Sequence, residues 1–133
     1  LLSDYTYANL GIPKSDNPLI AGFPIDEGLG AETRLNITEE KGKFRVQSLR
    51  NIALTPPYGH NGYFPTLDAI VAFLNNRSGT APEVALNVTT AVGDLGLSPQ
   101  DEADLVAFLK TLSDGSTCQM PAGFALPSMT SLD

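Results

Sequence analysis

The sequence has one cysteine, Cys118, and one histidine, His60, among its 133 residues, and it has no tryptophan. One cysteine cannot form a disulfide within the chain or build a Cys-x-x-Cys metal site. Basic residues are scarce, with 8 Lys and Arg against 15 Asp and Glu, so the formal net charge is −7. Because a phosphate backbone is bound by clustered cations, we expect no nucleic-acid partner. No apolar run reaches the roughly 18–20 residues that cross a bilayer, so we predict no membrane span.

The composition indicates one small domain with much irregular structure. The length suits a single domain, and a hydrophobic content of 42% is enough for a core. Only 17% of the residues are charged, so we expect long irregular stretches between a few buried helices. Because the sequence opens with Leu1 and not with Met, we expect a processed chain or a fragment.

Two segments carry the signals of amphipathic helices. Thr66 suits the N-cap of the first, which we expect to end near Asn76. The second begins with Ser98-Pro99-Gln100-Asp101, in which a capping serine precedes a proline and an acidic residue. We expect Gly115 to end it in a left-handed conformation. The predicted buried residues are Leu67, Ile70, Val71 and Leu74 in the first helix, and Leu105, Val106, Leu109 and Leu112 in the second.

Outside these helices the sequence is rich in glycine and proline. Residues 1–42 are predicted to form an irregular coat over a core or cofactor, because their apolar side chains are too many for a solvated linker. These side chains are Tyr5, Tyr7, Leu10, Ile12, Leu19, Ile20, Phe23 and Ile25. In residues 44–54 strand and short helix remain alternatives, with a helical turn suggested at 49–53. Residues 1–115 are expected to form a partial domain, and residues 116–133 a C-terminal surface tail.

His60 is the most distinctive candidate for chemistry. It lies in Tyr58-Gly59-His60-Asn61-Gly62, just after two prolines. An imidazole on a backbone path fixed by prolines and glycines is a site candidate, and the alternative is a turn histidine bonded to a nearby carbonyl. Arg50 is likewise either an exposed helix charge or the partner of a carboxylate. The sequence contains no Gly-x-Ser-x-Gly nucleophile elbow and no phosphate-binding loop.

Four sequence blocks occur in order along the chain. They are Ser3–Pro13, which ends in Asn-Leu-Gly-Ile-Pro; Gly42–Gly62, which contains Leu-Arg-Asn-Ile-Ala-Leu-Thr-Pro-Pro-Tyr-Gly-His-Asn-Gly; Thr66–Phe73; and Leu95–Leu112. Together they resemble the second haem domain of bacterial di-haem cytochrome c peroxidases and the related MauG-type enzymes. The Gly42–Gly62 block is specific, whereas many class I cytochromes end in a helix like the last one.

The resemblance implies a mainly α, cytochrome c-like domain with long ordered loops. In that family a Cys-x-x-Cys-His segment precedes the Asn-Leu-Gly-Ile-Pro run, binds haem c covalently and supplies the proximal ligand. We therefore expect the N-terminal helix and haem-attachment motif to be absent from this chain, and haem c to be attached outside it. The expected partners are the remainder of the di-haem protein or another chain with Cys-x-x-Cys-His, and a small redox donor protein. The expected location is the periplasm or another exported compartment.

The resemblance also assigns roles to single residues around the haem. Ile12 and Pro13 would pack against it, with Pro13 beside the proximal ligand, and Arg50 would reach a propionate. Tyr58 and His60 would lie at the cofactor, His60 near the haem edge at the domain interface and not as an axial ligand.

Two further positions concern metal ligands. Thr55 and Pro57 match residues whose backbone carbonyls bind Ca²⁺ between the two haem domains, and oxygen ligands suit that cation. Leu74 occupies the place of the distal ligand, which is Met or, in the MauG-type branch, Tyr. Leucine cannot ligate iron, so Leu74 is expected to be a core residue. A five-coordinate haem, a ligand from elsewhere such as Met120, and the loss of haem remain alternatives.

Three functions follow as hypotheses. The first is a haem-packing and electron-relay part of a periplasmic c-type haem redox protein, either a peroxidase or a MauG-like oxidase. The second is a non-catalytic haem-domain remnant that acts as a partner-binding subunit. The third, an unrelated α-helical binding domain, requires the Gly42–Gly62 block to be a coincidence.

Overall fold

A computed structural model describes residues 2–115, and the predicted surface tail, with Cys118 and Met120, lies outside the described residues. Regular structure within residues 2–115 consists of two α-helices, one pair of short strands and two 3₁₀ turns. The elements are β1 (Tyr7–Ala8), a 3₁₀ turn (Thr38–Glu40), β2 (Phe44–Arg45), a 3₁₀ turn (Ile52–Leu54), α1 (Leu67–Asn75) and α2 (Pro99–Thr111). The two predicted helices are confirmed, and they make up most of the regular structure. Most of the described residues are irregular.

The first helix, α1, begins and ends where the sequence predicts. The Thr66 hydroxyl accepts a hydrogen bond from the Ala69 amide at 3.1 Å and thereby caps the helix. The backbone turns extended at Asn76. Leu67, Val71 and Phe73 are buried, while Ile70 and Leu74 are partly buried against the same core.

The second helix, α2, begins with the predicted capping box. The Ser98 hydroxyl accepts from the Asp101 amide at 3.3 Å, and the Asp101 carboxylate accepts from the Ser98 amide at 2.9 Å. The Ser98 hydroxyl also donates to the Asp101 carboxylate at 2.7 Å. This bond first, and then the bond from the Ser98 amide, hold the pKa of Asp101 below its usual range. Val106 and Leu109 are buried, and α2 packs against α1. Leu105 is 38% exposed, so the prediction that it is buried was wrong.

The end of α2 also differs from the prediction. The helix ends at Thr111, and Gly115 does not have a positive φ, so it is not a left-handed cap. The end is instead held by Asn51, whose amide donates to the Leu112 carbonyl at 3.0 Å. The side-chain oxygen of Asn51 accepts from the Asp114 amide at 2.9 Å. The end of α2 is therefore stabilised by a residue more than 60 positions away, and not by a local glycine.

The core lies where both helices meet the turn before α1 and the segment around Ile12. Its buried members are Ile12, Tyr58, Phe64, Leu67, Val71, Phe73, Val106 and Leu109. The predicted coat is only partly confirmed, since five of its eight apolar residues, Tyr5, Tyr7, Leu19, Phe23 and Ile25, are 46–82% exposed. Among the described residues, no helix is long and apolar enough to cross a membrane.

Two polar side chains fasten the segment around Ile12 to the connection between the helices. Asn9 is 5% exposed, and its side-chain amide donates to the carbonyls of Val84 and Leu86 at 2.9 and 2.8 Å. Its side-chain oxygen accepts from the Gly11 amide at 2.9 Å. These bonds bridge more than 70 residues, so they fix a loop that has no sheet or helix of its own.

Arg77 makes the second fastening. Its guanidinium donates to the carbonyls of Leu10 at 2.9 Å and Thr89 at 2.7 Å. The guanidinium passes directly over Gly93, where a Cβ atom would lie 2.0 Å from the arginine Nε. Gly93 has a φ of +100°, so both its backbone and its neighbour require glycine.

Candidate functional site

His60 lies at the tip of a tight loop that precedes α1. Tyr58 and Phe64 exchange two backbone hydrogen bonds, at 2.7 and 3.1 Å, which close the loop. Gly59 has a φ of +91°, and a Cβ atom there would lie 3.1 Å from the Ile12 side chain. The glycine beside His60 therefore lets the loop approach the core closely.

The imidazole of His60 is held by two side chains from distant parts of the chain. Its Nε2 atom lies 3.0 Å from a carboxylate oxygen of Glu83. Its ring stacks on Phe44, with centroids 3.8 Å apart and an angle of 9° between the planes. The loop backbone is exposed, but the side chains of His60 and Glu83 are only 13% and 7% exposed. The predicted alternative, a turn histidine bonded to a neighbouring carbonyl, is not what the structure shows.

Asn61 connects this pair to the segment around Ile12. Its side-chain amide donates to the Pro13 carbonyl at 2.8 Å and to the same Glu83 carboxylate oxygen at 3.0 Å. The Glu83 amide in turn donates to the Ile12 carbonyl at 2.9 Å. We call Ile12, Pro13, Phe44, His60, Asn61 and Glu83 the His60 unit, because stacking and hydrogen bonds join them.

The His60 ring borders two shallow depressions. One has a volume of 190 Å³ and is lined by Lys14, Phe23, Asp26 and the Glu83 side of the His60 unit, among others. The other has a volume of 370 Å³, and its lining includes Arg34, Lys43 and Arg45. Both depressions therefore lie beside His60.

Three of the predicted haem-packing residues belong to the core. Ile12 and Tyr58 are 6% and 8% exposed, and the partly buried Leu74 packs beside them. The Tyr58 hydroxyl donates to the Ile52 carbonyl at 2.9 Å, and burial raises the pKa of this tyrosine. Ile12, Tyr58 and Leu74 thus belong to one hydrophobic cluster. Pro13, next to Ile12 in sequence, is also buried.

Arg50 lies apart from the His60 unit. Its guanidinium binds the Asp114 carboxylate, with an Nε–Oδ2 distance of 3.0 Å and a second contact from Nη2. The Arg50 side chain is 70% exposed, and its hydrogen bonds are the main cause that lowers the pKa of Asp114. The expected contact of Arg50 with a propionate stays a prediction.

Thr55 and Pro57 lie in an exposed turn with a cis peptide bond between Pro56 and Pro57. The Thr55 hydroxyl donates to the Ile52 carbonyl at 3.2 Å. In the described part of the chain, no group of three or more His, Cys, Asp or Glu side chains could hold a metal ion. Since the expected Ca²⁺ ligands are backbone carbonyls, the calcium site stays a prediction.

Sequence reasoning missed Glu83 and Phe44 as partners of His60. Glu83 lies 23 residues from His60, so no local spacing connects the two. One signal was available, since Glu83 is the only charged residue between Arg77 and Asp94. A carboxylate that the fold buries needs a partner, because its burial otherwise costs free energy.

Comparisons with known proteins show which proteins the chain is similar to. No protein-family model matches the sequence. The chain is 36% identical over 135 residues to the cytochrome-c peroxidase IdrP1 of Denitromonas iodatirespirans. The aligned region covers 85% of this chain and 34% of IdrP1. It is 33% identical over 133 residues to the methylamine utilization protein MauG of Paracoccus denitrificans. That aligned region covers 84% of this chain and 34% of MauG.

A solved structure supports the same relation. The crystal structure of a MauG-like protein associated with microbial copper homeostasis matches with a TM-score of 0.66 and 32% identity, over 87% of this chain and 35% of the other. The chain spans about a third of the length of these curated relatives. Over 85% of its length, this chain is homologous to the di-haem cytochrome c peroxidase and MauG family, as the four blocks predict.

Proposed function

We propose that this chain is the haem-packing and electron-relay domain of a periplasmic c-type haem redox protein, either a peroxidase or a MauG-like oxidase. The observation that carries the proposal is the His60 unit. It joins the Ile12-Pro13 segment to the loop of His60 by the Asn61–Pro13 hydrogen bond of 2.8 Å. The family resemblance predicts that these two segments lie at the haem. The cytochrome c-like character of the fold and the exported location are parts of the same proposal.

The apolar part of the site fits a haem. Ile12, Tyr58 and Leu74 would pack against the ring, with Pro13 beside them, and all four belong to or border the core. Among the described residues, Leu54, Leu105 and Phe108 are 64%, 38% and 54% exposed, on the 3₁₀ turn and the helix α2 that contact each other. Covering such apolar side chains with a haem would be favourable, because it removes apolar surface from water.

In the proposal, residues 2–115 would supply no axial ligand. Leu74 is aliphatic, and the Nε2 atom of His60 is engaged by Glu83 at 3.0 Å. Both methionines, Met120 and Met129, lie outside the described residues. In the proposal the domain shields the ring from water and holds it by packing, and the iron is ligated from elsewhere. Bound haem would supply the redox-active iron for electron transfer.

Charged and carbonyl groups at the rim complete the proposal. Arg50 would reach a propionate, in exchange for or together with its contact to Asp114. The exposed carbonyls of Thr55 and Pro57 would bind Ca²⁺ at the boundary with the other haem domain. Both contacts would orient this domain relative to the rest of the redox protein.

A second candidate function is a non-catalytic haem-domain remnant that binds a partner subunit. Leu74 favours it, because this position carries the distal ligand in the family and leucine cannot serve as one. In that case a polypeptide, and not haem, would cover the exposed apolar side chains.

A pyridine haemochrome assay on the intact native protein separates the two candidates. We expect the spectrum of a covalently attached c-type haem, which remains with the polypeptide after acid–acetone extraction. The periplasmic fraction should contain the protein. Absence of covalent haem from the native protein and from any chain that copurifies with it would contradict the redox proposal and favour the remnant.

A further inference from the structure

The imidazole of His60 is held on one edge by a carboxylate and on one face by an aromatic ring. Three contacts from three segments of the chain converge on it or on its partner, through Phe44, Asn61 and Glu83. We propose that Glu83 is a positioning residue that holds His60 as the Nε2–H tautomer, so that Nδ1 serves as a fixed proton acceptor beside the haem-packing segment. The proposal deepens the proposed function and rests on it.

The chemistry of the shared oxygen fixes the position of the hydrogen. An ionised carboxylate has only acceptor atoms, so both neighbours of the Glu83 oxygen must donate. Asn61 donates through its amide at 3.0 Å, and His60 must donate through Nε2 at 3.0 Å. A neutral imidazole has one hydrogen, so its Nδ1 atom then carries the lone pair.

The orientation of the ring is fixed as well as its tautomer. The stack on Phe44, with planes 9° apart, opposes rotation of the ring out of its plane. Glu83 is itself anchored by its backbone amide, which donates to the Ile12 carbonyl at 2.9 Å. At 13% and 7% exposure, the side chains of His60 and Glu83 leave water little opportunity to compete for the hydrogen bond.

Proton transfer at this site needs only a proton donor and no oxidant or reductant. One proton from water or an acid in a bordering depression would move to Nδ1, and the resulting imidazolium would stay paired with the Glu83 carboxylate. Returning the proton restores the starting state. The other charged side chains that line the two depressions are Lys14, Asp26, Arg34, Lys43 and Arg45.

The same unit links the imidazole to the segment that would pack on the haem. Glu83 reaches the Ile12 carbonyl through its backbone, and Asn61 reaches the Pro13 carbonyl through its side chain. A fixed proton acceptor at this place would allow proton uptake to accompany electron relay. His60 would perform this role without contacting the iron.

Nitrogen-15 NMR of histidine-labelled intact native protein tests the proposal, with the His60 signals assigned by comparison with His60→Asn. We expect the wild-type ring to give the nitrogen shifts of the Nε2–H tautomer. Glu83→Gln keeps an acceptor oxygen for both donors and should keep that tautomer, whereas Glu83→Ala should lose it. Glu27→Ala, which breaks the separate ion pair of Glu27 with Lys41, is the matched control and should leave the His60 signals unchanged.

Two outcomes would overturn the proposal. One is an Nδ1–H tautomer in the wild-type protein, and this reading does not depend on whether any variant folds. The other is a Glu83→Ala spectrum that matches the wild type. Because the tautomer is read directly from the ring, these outcomes differ from a failure of the proposed function, which would appear as missing haem in the haemochrome assay.

Discussion

Replacing Asn9 by alanine should loosen the segment that leads to Ile12 and Pro13. Asn9 is 5% exposed and makes three hydrogen bonds through its side chain, to the carbonyls of Val84 and Leu86 and from the Gly11 amide. Alanine removes all three and leaves the buried Gly11 amide without its acceptor. The segment has no helix or sheet to hold it otherwise.

The magnitude follows from the number of bonds. A buried hydrogen bond contributes about 1 kcal/mol net, so Asn9→Ala should lower the free energy of local opening by about 3 kcal/mol. Since about 1.4 kcal/mol corresponds to a tenfold change in an equilibrium constant, amides protected by this contact should exchange about 100-fold faster. The amides concerned include Gly11, Glu83 and Thr89, which bond within or across this contact.

Hydrogen exchange read by mass spectrometry on the intact native protein is the assay. Asn17→Ala is the matched control, because Asn17 is exposed and its side-chain oxygen accepts only the nearby Leu19 amide at 3.0 Å. The control should change exchange by less than about tenfold, in keeping with one exposed hydrogen bond. Equal effects of the two substitutions, or no acceleration in Asn9→Ala, would refute the reasoning.

Two further substitutions test the packing of the loops and the core. Gly93→Ala places a Cβ atom 2.0 Å from the Arg77 Nε at a φ of +100°, so it should destabilise the protein by about 3 kcal/mol in denaturant titration. The control Gly79→Ala also has a positive φ but meets nothing within 4 Å, so a cost equal to that of Gly93→Ala would show that Arg77 is not displaced. Tyr58→Phe removes the hydrogen bond to Ile52 and should cost about 1 kcal/mol near neutral pH. Burial raises the pKa of Tyr58 above its ordinary 10.0, so its ionisation favours the unfolded state as the pH rises past 10. Stability of the wild type should therefore fall faster above pH 10 than that of Tyr58→Phe, and parallel pH profiles would contradict this.

The parts of the fold that could be predicted are those fixed by neighbours in sequence. The N-caps of both helices depend on residues three positions apart, Thr66 with Ala69 and Ser98 with Asp101, so the sequence shows them directly. The amphipathic spacing identified α1 and α2, although it could not decide that Leu105 faces solvent. Local signals therefore predict where helices begin more reliably than which helix face is covered.

The parts that could not be predicted depend on contacts between distant segments. The end of α2 is fixed by Asn51, and the imidazole of His60 by Phe44 and Glu83. No periodicity connects such residues, because their proximity is set by the course of irregular loops. The family resemblance predicts His60 and Ile12-Pro13 as site residues, but only the three-dimensional structure shows that Asn61 and Glu83 join them.

The position of the haem relative to α1 is the most direct test of the proposed function. Leu74→Met is nearly isosteric and should cost less than about 1.5 kcal/mol, so the fold should survive the change. We predict that the thioether reaches the iron of the intact native protein, and that the visible spectrum gains the charge-transfer band of a methionine-ligated c-type haem. An exposed control, Leu19→Met, should not produce the band, since Leu19 is 82% exposed. A Leu74→Met protein that contains haem but has the same spectrum as the wild type would contradict the placement of the haem against this domain.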